Sequence, residues 1–397
     1  MQDFKSAHAF AKCAKYIGPD GRRQDAAHRY IHPRIADGKH PNLHLLCETK
    51  VNRVIFEGNR AVGVEYEPEP AFVQPGLGAP HTVSRTIRAK KLVVVSAGAL
   101  GTPPILERSG IGKKELLQEL DIPVISDLPG VGENYQDHHF LLIPYETNLK
   151  ENETLDRIMG SRFDVGAAML SQDPYLGWNG VDVAGKLRMS DSDAAALGPE
   201  FKEAWDRDFA GQPEKPLMLF VATNFLAGGD RTLLTPEDLA KQYVTVASYT
   251  AYPYSRGSVH IVSRDCTVAP KFITGFLADK NEIDLKKAVW AYKKGRDIFR
   301  RTKAFVGEPA IGHPKFREGS KAALADKPVL QGDDRTQVKP IEYDEEDNRA
   351  IEDHVRSHVE TTWHSLGTCK LAPREEGGVI DKNLNVYGTE GLKCVGK

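Results

Sequence analysis

Near the C-terminal end of this 397-residue chain, Thr361-Thr362-Trp363-His364-Ser365-Leu366-Gly367-Thr368-Cys369 sets an imidazole beside an indole and follows both with a small-residue turn. An imidazole with its ordinary pKa of ~6.5 exchanges protons near neutral pH, and a flat aromatic neighbour suits work against a planar ligand. His364 is therefore the candidate catalytic base, and Trp363 the candidate surface against that ligand. The plainer alternatives are a histidine satisfying a backbone group at a helix end and a tryptophan packed in a core.

A second candidate region is Leu92-Val93-Val94-Val95-Ser96-Ala97-Gly98-Ala99. Four apolar residues without alternation predict a strand covered on both faces of a sheet. Pro103 and Pro104 then predict the first turn of a helix. Strand, glycine turn and helix start suit close backbone approach to a dinucleotide cofactor at Ser96, Ala97 and Gly98, or else form a tight turn with no ligand. Asp137-His138-His139 resembles a metal or acid–base cluster, while His354 and His358 stand at i, i+4 on a charged helix. That spacing fits zinc, but no third ligand accompanies it, and a solvated helix face is the preferred reading. No Gly-x-Ser-x-Gly nucleophile elbow occurs.

The elements that position these residues follow from periodicity. Ala7, Phe10, Ala11 and Ala14 share one helical face, and Gly18-Pro19-Asp20-Gly21 is a turn. Strands are predicted at Leu43–Cys47, Thr49–Phe56, Ala61–Tyr66 after a Gly58-Asn59 turn, and Thr82–Ile87, with an exposed Pro-rich loop over Pro68–Pro80. A short helix over Leu116–Leu120 and a short strand over Ile122–Ile125 follow. Residues 145–215 are polar and helix-rich. Strands are predicted at Leu217–Thr223, Tyr243–Tyr249 and Gly257–Val262, a long amphipathic helix at Asn281–Arg301, a charged loop at Lys315–Lys339, and a final helix at residues 346–360.

Hydrophobic residues make up 40% and charged residues 27% of the sequence, which is ordinary for a globular protein of one or two domains. A formal charge of −2 gives no bulk attraction to nucleic acid or to an anionic membrane. Five scattered cysteines with no Cys-x-x-Cys pair support neither a disulfide scaffold nor a zinc ribbon, so a reducing, intracellular compartment is expected. No apolar run approaches the ~18–20 residues that span a bilayer.

Taken together, three segments resemble the glucose–methanol–choline (GMC) flavin oxidoreductases. They are Gly98–Gly112, Pro129-Gly130-Val131-Gly132-Glu133-Asn134-Tyr135-Gln136-Asp137-His138, and Ser255-Arg256-Gly257-Ser258-Val259-His260-Ile261. Four weaker stretches, Gly21–His28, Val289–Lys294, Ile341–Asp347 and Glu360–His364, are similar to the fungal alcohol (methanol) oxidases within that family. The resemblance implies an α/β fold: a Rossmann-like FAD-binding domain from residues 1–145 and 346–397, with an α+β substrate domain of antiparallel sheet, 146–345, inserted. It implies FAD as cofactor and oxidation of a short primary alcohol to an aldehyde with oxygen reduced to hydrogen peroxide. Hydride would pass to flavin N5, with His364 as base. Trp363 would lie against the flavin, and the backbone of Val51 would meet the adenine. It assigns Asp137-His138-His139 to a structural turn, implies no metal, and allows a homo-oligomer in a peroxisomal or cytoplasmic location. A dehydrogenase with another acceptor, an aryl-alcohol or sugar oxidase, and a non-catalytic family member are the alternatives.

The chain also departs from the family pattern. It contains no Gly-x-Gly-x-x-Gly, since Gly76-Leu77-Gly78 sits in the Pro-rich loop and Gly130-Val131-Gly132-Glu133-Asn134-Tyr135 lacks the third glycine. Met1 falls inside the pattern, and the family's second catalytic polar residue (Asn or His) would follow Lys397. The expectation is an incomplete cofactor domain that by itself holds FAD poorly, with the apolar residues around Leu92–Val95 short of a neighbouring strand.

Overall fold

The computed structural model describes residues 3, 5–69, 84–229, 232, 234–330 and 332–396. Gly76-Leu77-Gly78, Thr82 and nearly all of the Pro68–Pro80 loop lie outside the described residues. The fold is mixed α/β, and the chain divides into two compact units. The first takes the described residues through His40, then His138–Tyr254 and Asp279–Thr362; the second takes Pro41–Asp137, Ser255–Ala278 and the described residues from Trp363 onward.

The first unit is built on a six-stranded antiparallel sheet of β1 (Ala9–Lys12), β9 (Val181–Leu187), β10 (Met218–Thr223), β11 (Gln242–Thr250), β8 (Phe140–Thr147) and β14 (Phe305–Gly307), in that spatial order. Phe220 of β10 pairs with Gly185 of β9 on one side and Ser248 of β11 on the other. That face carries Leu187, Met218, Phe220 and Val246 against Phe201, Trp205 and Phe209, and against Ile283 and Ala291 of the Ile283–Phe299 helix. Residues 9–12 are therefore a strand, not the predicted helix. Phe10 lies opposite Gly185, where a Cβ would come within 2.5 Å of its ring, and meets Phe220 edge-on at 6.4 Å. An aromatic ring over a strand glycine and four ladder pairs outweigh a weak helical period.

Charge is buried deep in this unit. The fully buried Arg296 guanidinium donates to both oxygens of Glu308 at 2.7 Å and to the Ala322 carbonyl at 3.1 Å, while Glu308 accepts from the Ala325 N–H at 2.9 Å. The stretch after Phe305, charged and unpatterned in sequence, is thereby tied to the long helix. Beside it, Tyr292 Oη meets His313 Nδ1 at 3.1 Å, and the other nitrogen of His313 meets the Pro144 carbonyl at 2.8 Å. His354 is buried on the Glu345–His358 helix with its ring stacked on exposed His358 at 4.2 Å, so it faces the interior and not solvent. Its spacing from Ile351 and Val355, both buried, puts it on the apolar stripe.

The second unit holds the antiparallel sheet β2 (Thr49–Glu57), β3 (Arg60–Pro68) and β4 (Arg85–Arg88), with the tight turn expected at Gly58-Asn59. It also has three two-stranded pairs: parallel β5 (Val93–Val95) with β15 (Leu392–Cys394), parallel β6 (Ile111–Gly112) with β7 (Ser126–Asp127), and antiparallel β12 (Ser258–His260) with β13 (Lys271–Ile273). One core joins Val54, Val93, Val95, Leu106, Leu128, Val131, Val386 and Leu392.

Several sequence expectations change here. Leu43–Cys47 forms no strand, and Ile122–Ile125 precedes the short β7 instead of forming it. The helix after β5 begins at Gly98, which places Pro103 and Pro104 in its second turn. β5 is covered on one face only: Val93 and Val95 are buried, whereas Val94 is 49% exposed. The unit boundaries also fall elsewhere than 1–145, 146–345 and 346–397. β1 extends the six-stranded sheet, the Glu345–His358 helix packs on Ile283–Phe299 through Tyr292 and His354 and a Lys293–Asn348 hydrogen bond, and residues 255–278 join the second unit where Tyr135 and Gly257 exchange backbone hydrogen bonds.

Burial pushes His313 down to about 4, and burial with the neighbouring His358 pushes His354 down to about 3. In the unfolded chain both titrate near ~6.5. Below that pH the unfolded state takes up protons that the folded state refuses, so stability falls as pH drops toward the folded values. The loss is about 1.4 kcal/mol per pH unit for each histidine. Urea unfolding of wild type and His354→Phe between about pH 6.5 and about pH 4.5 should give a slope shallower in the variant by about one histidine's share; equal slopes would refute the assignment.

Candidate functional site

The second unit carries all six candidate site residues. β5 runs into Ser96 and Ala97 and then into the 11-residue helix Gly98–Arg108, whose N-terminus has no side-chain cap. The Ala97 N–H donates to Thr102 Oγ1 at 3.1 Å, which curls the turn back on its own helix. Gly98 sits at φ +78°, a left-handed conformation, and a Cβ there would meet nothing within 4 Å. The first N–H groups of the helix thus have no side-chain cap, and an uncapped helix N-terminus suits a negatively charged group.

Val51, Ser96 and Ala97 line one cleft of about 520 Å³, together with Val94, Leu100 and Arg108. Gly98 adjoins it in sequence. Its apolar wall and its uncapped helix end fit one end of a dinucleotide: a flat ring system against Val51, Val94 and Leu100, and phosphate toward the turn. Cys266 closes part of the wall and donates its thiol proton to Glu67 at 3.0 Å. Burial and that carboxylate push the thiol up to about 11, so Cys266 is a neutral lining residue and not a nucleophile. A larger cleft of about 680 Å³ in the same unit is lined by Arg53, Arg264, Asp121 and Asp265, with Arg108 and Cys266 shared, and contains none of the expected site residues.

Trp363 and His364 lie outside both clefts. They begin a turn clamped on residues 132–137. Gln136 and Leu366 exchange backbone hydrogen bonds of 2.9 Å each, Asn134 Nδ2 donates to the Gly367 carbonyl at 3.1 Å, and the Gly132 N–H donates to the Thr368 carbonyl at 3.0 Å. Buried Thr368 Oγ1 donates to the Ala99 carbonyl at 2.6 Å, which links the histidine turn to the helix that follows Ser96-Ala97-Gly98. The His364 side chain is exposed, and its backbone N–H donates to Asp137 Oδ1 at 3.3 Å. Trp363 is 78% exposed at φ +59°.

Asp137 was legible only as a turn residue; its partner lies 227 positions away, and no local spacing reveals it. The same holds for Thr368 and Asn134. His138 turns its Nδ1 to the Thr250 carbonyl at 2.5 Å within the first unit. Among the described residues no group of three or more His, Cys, Asp or Glu side chains is placed to hold a metal ion. A further clasp sits nearby: His260 Nδ1 meets buried Glu107 at 2.7 Å and its Nε2 meets Glu133 at 3.2 Å, and the Glu107 contact raises the imidazole above its usual range.

Residues 1–140 match the N-terminal and residues 253–397 the C-terminal pattern of the family described as GMC oxidoreductase. The chain is 35% identical to an alcohol oxidase of Candida boidinii and 36% identical to one of Pichia angusta, in each case over 99% of its own length and 64% of the relative's. It thus spans less than two thirds of the length of these relatives. A formate oxidase structure from Aspergillus oryzae superposes with a TM-score of 0.73 at 19% identity, covering 97% of this chain and 60% of that one. No helix among the described residues is long and apolar enough to cross a membrane.

Gly367, at φ +95°, is the tightest point of the clamp, since a Cβ would stand 2.3 Å from the Asn134 carbonyl oxygen. Gly58, at φ +63°, has nothing within 4 Å of its Cβ position. In denaturant unfolding, Gly58→Ala should cost about 1–2 kcal/mol for the left-handed backbone alone. Gly367→Ala should cost roughly 2 kcal/mol or more because the clash adds to the same penalty. Equal losses would show that residue 367 is free to move away from Asn134.

Proposed function

The chain belongs to the GMC oxidoreductase family, and on that premise we propose that its residues serve the FAD-dependent oxidation of a short primary alcohol to an aldehyde, with oxygen reduced to hydrogen peroxide. The observation that supports this most is the 2.6 Å bond from Thr368 to Ala99, which ties the turn bearing His364 to the turn at Ser96, Ala97 and Gly98. The candidate acid–base group and the turn that lines the cleft of about 520 Å³ are then linked through one hydrogen bond. The alcohol oxidases similar to this chain point to a small alcohol as substrate and oxygen as acceptor, and a peroxisomal or cytoplasmic location goes with that reading.

Val51, Val94 and Leu100 would cover one face of the adenine end, and the uncapped N–H groups after Ala97 would face phosphate. FAD, when bound, would supply the hydride acceptor at N5 and the two-electron link to oxygen. His364 takes the hydroxyl proton of the alcohol as its carbinol C–H bond is broken, so alcohol plus oxygen yields aldehyde plus peroxide with all atoms accounted for. A neutral imidazole is required for that step, and its exposed side chain can return the proton to solvent. Trp363, next in sequence, offers the flat surface against which the flavin would lie.

Two measurements test the reading. The 397 residues contain no Gly-x-Gly-x-x-Gly turn, so an absorption spectrum after incubation with excess FAD and desalting should show little retained flavin on this chain by itself; full retention would show that the Ser96–Gly98 turn suffices. In flavin-loaded protein, anaerobic methanol or ethanol should bleach the flavin, and readmitted oxygen should yield peroxide. His364→Ala should slow bleaching by about 10²–10⁴-fold at unchanged flavin content. Bleaching without peroxide would favour a dehydrogenase with another acceptor, and flavin untouched by any primary alcohol would remove the proposal.

A further inference from the structure

Asp137 is nearly fully buried, at 3% exposure. Its two oxygens divide their work. Oδ1 accepts the His364 backbone N–H at 3.3 Å, and Oδ2 accepts the Tyr135 hydroxyl at 3.5 Å. The Tyr135 hydroxyl in turn meets Ser365 Oγ at 3.1 Å, and Tyr135 is itself 2% exposed, its ring edge-on to Phe272 at 4.8 Å. Consecutive residues of the histidine turn, 364 by its backbone and 365 by its side chain, are thus fastened to one carboxylate–phenol pair.

The turn needs fastening. Trp363 stands at φ +59°, a conformation that a bulky residue adopts only when its surroundings hold it there. The side chain of Trp363 is mostly exposed. A hydrogen bond from the next peptide N–H to a buried carboxyl oxygen acts at the right place: it fixes the peptide joining Trp363 to His364, and with it the direction of the His364 Cα–Cβ bond.

We infer that Asp137, acting with Tyr135, is a positioning residue that fixes the left-handed Trp363–His364 turn and so aims the His364 imidazole. The inference rests on the reading of His364 as the base. It goes beyond that reading by assigning a role to a buried acid that does not itself touch the reacting atoms. Both bonds to Asp137 are long, so the hold is of moderate strength.

The test separates local aim from overall stability. Hydrogen exchange followed by mass spectrometry on the purified chain reports residues 361–366 and, as an internal control, β3. Asp137→Ala should speed exchange at 361–366 by about three- to tenfold, the scale of a lost ordinary hydrogen bond, while β3 stays near its wild-type rate. Asp137→Asn keeps an oxygen acceptor at the same place and should restore most of the protection. Tyr135→Phe should give a smaller effect of the same sign. In flavin-loaded protein Asp137→Ala should lower kcat with KM little changed, and Asp137→Asn should recover much of it. Unchanged exchange at 361–366, a rise that is equal in β3, or an asparagine variant as loose as alanine would overturn the inference. If instead exchange responds as expected but His364→Ala leaves flavin bleaching intact, the base assignment fails while the structural role of Asp137 stands. If exchange responds and turnover does not, the aiming role fails while the base assignment stands.

Discussion

Gln136 and Leu366 exchange two backbone hydrogen bonds of 2.9 Å, and the site in the second unit depends on that pair. The residues lie 230 positions apart, yet the pairing behaves as a miniature antiparallel ladder. On one side of it Asn134, Gly132 and Ala99 take up Gly367 and Thr368; on the other Tyr135 and Asp137 take up residues 364 and 365. Remove the central pair and each outer bond would have to close a large loop alone, at an entropic cost that a single bond of about 1 kcal/mol does not offset. Together they turn an exposed loop into a fixed platform for an imidazole. Gly367 is part of this logic, because its left-handed backbone lets the chain pass against the Asn134 carbonyl where any side chain would collide.

The first unit is organised by a different constraint, charge kept away from water. Arg296 with Glu308 and Lys287 with Asp284 are four charged side chains with no exposed surface, or almost none, on and beside one helix. Such pairs add little net stability over apolar residues of the same shape, but breaking one is costly because a bare charge remains. Their value is geometric. Arg296 has a planar fork whose donors reach Glu308 and the Ala322 carbonyl at once, and Lys287 reaches the Tyr252 carbonyl at 2.7 Å while Asp284 receives the Tyr254 N–H at 2.8 Å. Long connections lacking regular structure are thereby given one position on the helix.

These features set the limit of what can be read from sequence. The alternation in Met218–Thr223 and Gln242–Thr250, the Gly58-Asn59 turn and the long amphipathic helices were visible because neighbours in sequence decide them. Ala9–Lys12 was misread because the residue that settles its conformation, Gly185, is remote. Lys287 and Arg296 look like ordinary exposed charges on an amphipathic helix until their distant carbonyl and carboxylate partners are seen. Of the site, Ser96, Ala97, Gly98 and His364 could be picked out by residue type, and Val51 by family likeness alone. Asp137, Tyr135 and Thr368 could not, since each contributes through contacts to residues more than 100 positions away.

The exposed strand β5 gives the cleft its character. A parallel strand is usually covered on both faces, and here Val94 and, in the following helix, Leu100 are 49% and 42% exposed. Both line the cleft that also holds Val51, Ser96 and Ala97. Apolar surface left open beside a helix N-terminus with no capping side chain combines two requirements that water meets poorly together: something flat and apolar for Val94 and Leu100, something anionic for the N–H groups. A capping Ser or Asp at residue 97 would satisfy the helix, and a polar residue at 94 would suit solvent; Ala97 and Val94 do neither. The residue choices at this turn thus set an exposed apolar strand face beside a helix end with no capping side chain, and the proposed cofactor contact draws on that juxtaposition.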